Sequence, residues 1–188
     1  MFLISELIAL LCANLVFTQA LGTSTILIAV RNKTNLAGIA AAITVFSTLG
    51  SIAAFFFDRF IPSDKEYWLL ICYCLVIAVI YVASLFVLSL MGEKIFEKCK
   101  LYVHLSAYNC AVAGSIFTVH ENAVKCGYSF GDYALFGFEA GIGFVLAALI
   151  IMAAYKKLSS SNVPASFRGF PAMLVYIGII SMAIYSLK

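Results

Sequence analysis

Charge is scarce in this chain of 188 residues: Asp, Glu, Lys and Arg together make up 11% of it, where a soluble globular domain carries about 25%. That scarcity excludes an ordinary water-facing surface. Hydrophobic residues reach 64% and the mean hydropathy is +1.05, so the sequence reads as an integral membrane protein. An outer-membrane barrel would show strands alternating over about 10 residues. The apolar runs here are too long and too numerous for that, which leaves an all-α helical bundle as the spanning structure. The net charge is only +3, and nothing supports nucleic-acid binding.

The six cysteines, Cys12, Cys72, Cys74, Cys99, Cys110 and Cys126, contain no Cys-x-x-Cys pair and no Cys/His spacing of a zinc site. Most read as packing residues. Cys72 and Cys74 lie two apart on one helix and point to different faces, which argues against a local disulfide or a metal shared by the two. The N-terminus also lacks the basic region of a cleavable signal peptide, so residues 1–22 are expected to remain as helix.

What is present is a series of apolar runs separated by short polar stretches. Six spans are expected, at residues 2–30, 36–57, 68–90, 101–119, 133–155 and 170–187. The first exceeds the ~20 residues a helix needs to cross the hydrocarbon, and Asn14, Thr18, Gln19, Gly22, Thr23, Ser24 and Thr25 fall inside it. It reads either as a discontinuous helix broken near Gly22 or as a long tilted helix. Non-helical backbone at that depth survives only when covered by protein or lining a cavity. Six spans divide into two halves, 1–92 and 93–188, and three spans per half make the second half enter the membrane inverted. Each half opens on the span with polar residues inside it, which is the usual sequence pointer to a site near the midplane.

The second of these polar stretches runs from Ala107 to Gly114 and sets Asn109 beside Cys110. An amide there must find hydrogen-bond partners or cost a few kcal/mol. Ala107, Ala111, Ala113 and Gly114 admit a close backbone, so the stretch reads either as a tight helix contact with Asn109 as polar glue or as part of a site. In the fifth span Gly137, Gly141 and Gly143 surround Glu139, the charge that looks most buried in the sequence. Glycines four apart make a helix-contact face. The acid is either structural and close to the membrane interface or part of an ion or proton path. The segment 159–169 reads as an interfacial loop in which Pro164 biases Val163 toward an extended conformation.

Taken together, Asn109-Cys110-Ala111-Val112 with Gly114, Tyr128-Ser129-Phe130 leading into Gly137-Phe138 and Gly141-Ile142-Gly143, Val163-Pro164 with Phe167-Arg168-Gly169, and Asn14 with Leu21-Gly22 keep the order and spacing of one known pattern. The sequence resembles a family of membrane subunits found in the Rnf electron-transport complex and in the sodium-translocating NADH:quinone reductase. That resemblance implies a multi-pass protein of the cell inner membrane, built as two inverted three-helix repeats with interrupted first and fourth spans. It also implies a homologous six-helix partner of opposite topology, other complex subunits, and electron transfer coupled to Na+ or H+ movement. No catalytic residue of the chain's own is implied. Between the two homologous subunits the family holds a [2Fe–2S] cluster on four thiolates, one from the first span and one from the fourth span of each. The resemblance places Cys110 at the fourth-span iron-ligand position and Ser24 at the first-span position, where the family has cysteine. Thr25 and His104 likewise replace frequent prolines. A serine hydroxyl hardly ionises near neutral pH and is a poor iron ligand, so a cluster with this set is expected to be absent or labile. The alternative is a stand-alone small-solute or ion transporter on the same scaffold, with Asn14, Gln19, Asn109 and Glu139 along the ion path beside Ser24.

Orientation follows from the basic residues of short loops. Of the twelve Lys and Arg residues, eight (Arg31, Lys33, Lys94, Lys98, Lys100, Lys156, Lys157 and Arg168) fall in loops one, three and five. Arg59, Lys65, Lys125 and Lys188 fall on the other side. Loops one, three and five are therefore expected in the cytoplasm and both termini outside it. Reporter domains fused after Lys157 should be cytoplasmic and those fused after Lys188 should not; a cytoplasmic C-terminus overturns the assignment.

Overall fold

The computed structural model describes residues 14–30, 33–60, 66–161 and 163–186, and every described regular element is an α-helix. Cys12 and the rest of residues 1–13 lie outside the described residues. In chain order the helices are α1 (Leu15–Gln19), α2 (Thr23–Ala29), α3 (Lys33–Phe60), α4 (Glu66–Leu90), α5 (Glu93–Ala107), α6 (Cys110–Cys126), α7 (Phe130–Leu158) and α8 (Phe170–Tyr185). Residues 35–60, 67–90 and 130–158 are each long and apolar enough to cross a membrane. Helix α8 is apolar but has 16 residues, about 24 Å at 1.5 Å per residue.

The central pair is α3 against α7, and small side chains bring the two backbones together. A Cβ added at Gly141 would lie 2.6 Å from Thr44 Cα, and one at Gly137 would lie 2.7 Å from the Ser47 carbonyl oxygen. Ser47 Oγ uses that proximity to donate to the Gly137 carbonyl at 2.8 Å. In lipid there is little hydrophobic gain from bringing apolar helices together, so close packing and such hydrogen bonds hold the pair. Ile39, Ile43, Ile116, Phe144 and Ile151 fill the space around it and are fully buried. Helices α4 and α8 instead leave large apolar side chains exposed, among them Leu75, Val79, Phe86, Val175, Ile179 and Met182. Those faces suit hydrocarbon rather than water.

The expected fourth span is longer than its apolar core. Residues 93–100, expected as a loop, form the first turns of α5, and α6 runs on to Cys126 rather than ending at 119. Gly92, at φ 106, opens α5 with Glu93 in its first turn, where the helix dipole favours an acid. Lys100 sits 5.5 Å from the Phe96 ring centroid. At the other end Gly127, at φ 67, donates its N–H to Ala123 O at 2.8 Å and closes α6. Hydropathy marks where charge begins, whereas α6 continues until Gly127 closes it.

The glycine interface carries a direct test. Gly141→Val should lower stability by about 1–3 kcal/mol, because its Cβ meets backbone that cannot rotate away. Gly178→Ala, where nothing lies within 4 Å, should be close to neutral. Unfolding of the two purified variants in detergent measures the difference, and equal losses would remove the close-packing account.

Candidate functional site

Two interruptions in the helices touch each other. The first lies between α1 and α2, where Ala20 adopts φ 56 and Gly22 φ 78. Asn14 opens α1: its Oδ1 accepts from the Val16 N–H at 2.9 Å and its Nδ2 donates to the Gly143 carbonyl of α7 at 2.6 Å. The second interruption is Tyr108–Asn109, between α5 and α6, and Asn109 Oδ1 accepts from the Ala111 N–H at 2.9 Å. An asparagine thus replaces part of the missing helical hydrogen bonding at α1 and again at α6. The breaks join where the Gly22 N–H donates to Cys110 Sγ at 3.0 Å.

Position 22 has room for glycine alone. A Cβ there would lie 2.8 Å from Phe144 Cε2 and 3.0 Å from Ala111 Cβ, and the left-handed φ disfavours other residues independently. Close approach is what lets the Gly22 amide reach the sulfur. Cys110 is also the first residue of α6, so the helix N-terminus and the Gly22 N–H both present partial positive charge to Sγ. The thiol is exposed on the chain's surface. It borders a cavity of about 230 Å³ whose lining includes Cys74 of α4 and Asn109. Asn109 is 4% exposed, and its buried Nδ2 has no hydrogen-bond partner among the described residues.

The other residues singled out in the sequence are placed differently. Asn14 is buried and both ends of its amide are already bonded, to Val16 and Gly143. Ser24 is exposed near the start of α2. Gln19 and Glu139 are exposed, and neither side chain forms a hydrogen bond among the described residues. Glu139, which looks buried in the sequence, is turned outward for a geometric reason. Gly137 and Gly141 face α3, and a residue two positions from each lies on roughly the opposite side of a 3.6-residue helix.

A second polar group has no local signature in the sequence. Asp58 of α3 accepts from Tyr73 OH of α4 through Oδ1 and from Tyr133 OH of α7 through Oδ2, the latter at 2.6 Å. His120 Nδ1 of α6 approaches Oδ2 at 3.0 Å but forms no hydrogen bond among the described residues. Four helices meet at this carboxylate, beside a cavity of about 520 Å³ that Arg59 and Tyr128 also line. Its members are 15 and 75 residues from Asp58 along the chain for the two tyrosines, so only the fold brings them together. In the sequence Asp58 and Arg59 look like ordinary charges at the end of an apolar run.

A family described as "Rnf-Nqr subunit, membrane protein" matches residues 4–188. A protein of Azotobacter vinelandii, named as one of the subunits of an ion-translocating oxidoreductase complex, is 29% identical over 177 residues, covering 93% of this chain and 90% of the relative. Proteins of the same name from Serratia proteamaculans and Citrobacter koseri are 31% and 30% identical over 172 residues, 90% of this chain and 87% of each relative.

The contact between the breaks makes a prediction about two glycines. Gly22→Ala combines a positive φ with a clash and should cost about 1–3 kcal/mol, with a changed rate of Cys110 labelling by maleimide. Gly92→Ala has a positive φ too but nothing within 4 Å, and should cost less and leave Cys110 labelling as it was. If both variants behave alike, the fit of Gly22 against Phe144 and Ala111 is not what sets the break.

Proposed function

This chain belongs to the Rnf-Nqr family of membrane subunits, and from that footing we propose that it serves as one membrane component of an ion-translocating oxidoreductase complex. Its role there is to hold part of a redox centre while electron flow is coupled to Na+ or H+ movement. The observation that carries this reading is the joined pair of helix breaks, which sets the Cys110 thiol at the chain's surface under the Gly22 N–H. A polar arrangement in an otherwise apolar bundle is costly unless it is used. The two halves, 1–92 and 93–188, are inverted repeats in this reading, each with one interruption. The partner is a homologous six-helix subunit of opposite topology in the inner membrane, with both termini of this chain outside the cytoplasm.

The group that the family resemblance implies is a [2Fe–2S] cluster shared with that partner, and the donor chemistry decides which residues fit it. Cys110 fits: it is a thiol, it is exposed, and the Gly22 N–H donates to its sulfur. Ser24 does not, since its hydroxyl hardly ionises near neutral pH. When bound, such a group accepts and releases one electron, which divides a hydrocarbon layer of about 30 Å into two shorter transfers. The chain's own contribution is to hold Sγ in place through the Gly22 N–H, with Phe144 packed at Gly22 and Leu21 at Gly114. The stand-alone transporter reading has the weaker support, because both ends of the Asn14 amide are engaged within the chain while Gln19 and Glu139 lie on the surface.

An affinity-tagged chain purified in mild detergent should bring other membrane subunits with it, and membranes lacking it should lose ion transport driven by electron flow. A chain that purifies alone and is dispensable for that transport overturns the reading. Glu139→Gln should leave assembly intact. If Glu139 is a coupling group, ion transport by the assembled complex should fall or lose its pH dependence; unchanged transport would limit Glu139 to a structural role.

A further inference from the structure

Cys72 and Cys74 face different ways, as their spacing on a helix requires, and only Cys74 reaches the cavity at the second break. Helix α4 runs beside α6 there: Tyr73 packs edge-on against Phe117 at 5.5 Å between ring centroids. Further along, Tyr81 reaches Tyr108 at 5.2 Å. Between those two contacts Cys74 and Cys110 line the same cavity of about 230 Å³, several times the roughly 30 Å³ share of one liquid water. Both thiols are exposed and free. Ala107 and Ala113, also in the lining, keep the space open because neither side chain extends into it. The buried amide nitrogen of Asn109 is unpartnered among the described residues and belongs to the same lining. A buried donor of this kind calls for an acceptor, at a cost of about 1–3 kcal/mol if none comes.

We propose that Cys74 and Cys110 form one two-thiolate site, and that Cys74 rather than Ser24 is this chain's second protein ligand to an iron–sulfur centre shared with the partner subunit. The ligand class follows from the donors. Soft thiolates select iron–sulfur clusters, Zn2+ and Cu+ over Mg2+ or Ca2+, and Asn109 Nδ2 and the Gly22 N–H supply hydrogen bonds of the kind that tune cluster sulfurs. On binding, each thiol loses its proton to solvent and forms one S–Fe bond, with no change in oxidation state of the sulfur. The assignment rests on the proposed redox role, but the shared groove stands on geometry alone.

Two experiments separate those levels. Phenylarsine oxide condenses with two neighbouring thiols and releases one water, so in the purified native chain it should protect both Cys74 and Cys110 from maleimide mass-labelling. In Cys74→Ser protein Cys110 should label freely again. If both label freely in the treated native chain, the shared groove is overturned. The second experiment measures iron and acid-labile sulfide, with the electron paramagnetic resonance signal of the reduced cluster, in complex purified through this chain. Cys74→Ala, Cys74→Ser and Cys110→Ala should each lose about two iron and two sulfide per chain, the content of one [2Fe–2S] cluster, while Ser24→Ala should keep them. Iron and signal unchanged in both Cys74 variants, or lost in Ser24→Ala, overturn the ligand assignment and leave the chain's role in the complex standing. A native chain that purifies without partners and without iron overturns both.

Discussion

Unpaired backbone polar groups cannot stand in hydrocarbon, and this constraint governs the rest of the molecule. An uninterrupted helix pairs its own amides, but α1 and α2, and again α5 and α6, meet at turns where that pairing fails. Each break therefore persists only because something else supplies the hydrogen bonds. Asn14 and Asn109 do so for the helices they open, and the Cys110 thiol does so for Gly22. The thiol is thus structural and exposed at once: the atom that closes the first break also lies at the chain's surface.

For two breaks to touch, the elements around them must be held at fixed depth, and the α3–α7 interface is suited to that. Glycine at 137 and 141 lets α7 approach the backbone of Thr44 and Ser47 closely, and the Ser47 hydroxyl pins the longitudinal register through the Gly137 carbonyl. Gly143, on the same helix, receives the Asn14 amide, so α7 holds the first break directly. A shift of α7 along its axis would pull the Asn14 contact apart and, with Phe144, unseat Gly22.

The apolar runs, the break near Gly22, the polar interruption at Asn109 and the glycine face of the fifth span are all legible in the sequence, because each is a local pattern of residue type and spacing. Glu139 reads wrongly as buried because a charge between glycines looks enclosed in one dimension. The helical period puts it on the side away from them. The extent of α5 and α6 is hidden for a related reason: Lys and Glu end a hydrophobic run without ending a helix. The Asp58 group and the pairing of Cys74 with Cys110 cannot be read at all. Their members come from different helices, and only the packing of α4 against α6 brings them to one place.

The two polar groups of the bundle differ in how far their hydrogen bonding is completed, and that difference separates their roles. Asp58 has a donor on each oxygen, from α4 and α7, with His120 of α6 beside it. Both oxygens are thus bonded and the carboxylate ties three helices together, while His120 Nδ1 beside it has no hydrogen-bond partner among the described residues. A buried polar network that is satisfied in this way makes a structure rigid. At the second break the balance is reversed: the Asn109 amide lacks an acceptor among the described residues, and two free thiols border an open cavity beside it. Native proteins seldom leave such groups unmatched without a purpose. The second break is the one with free thiols exposed at the chain's surface, whereas the Asp58 carboxylate holds α3, α4 and α7 together.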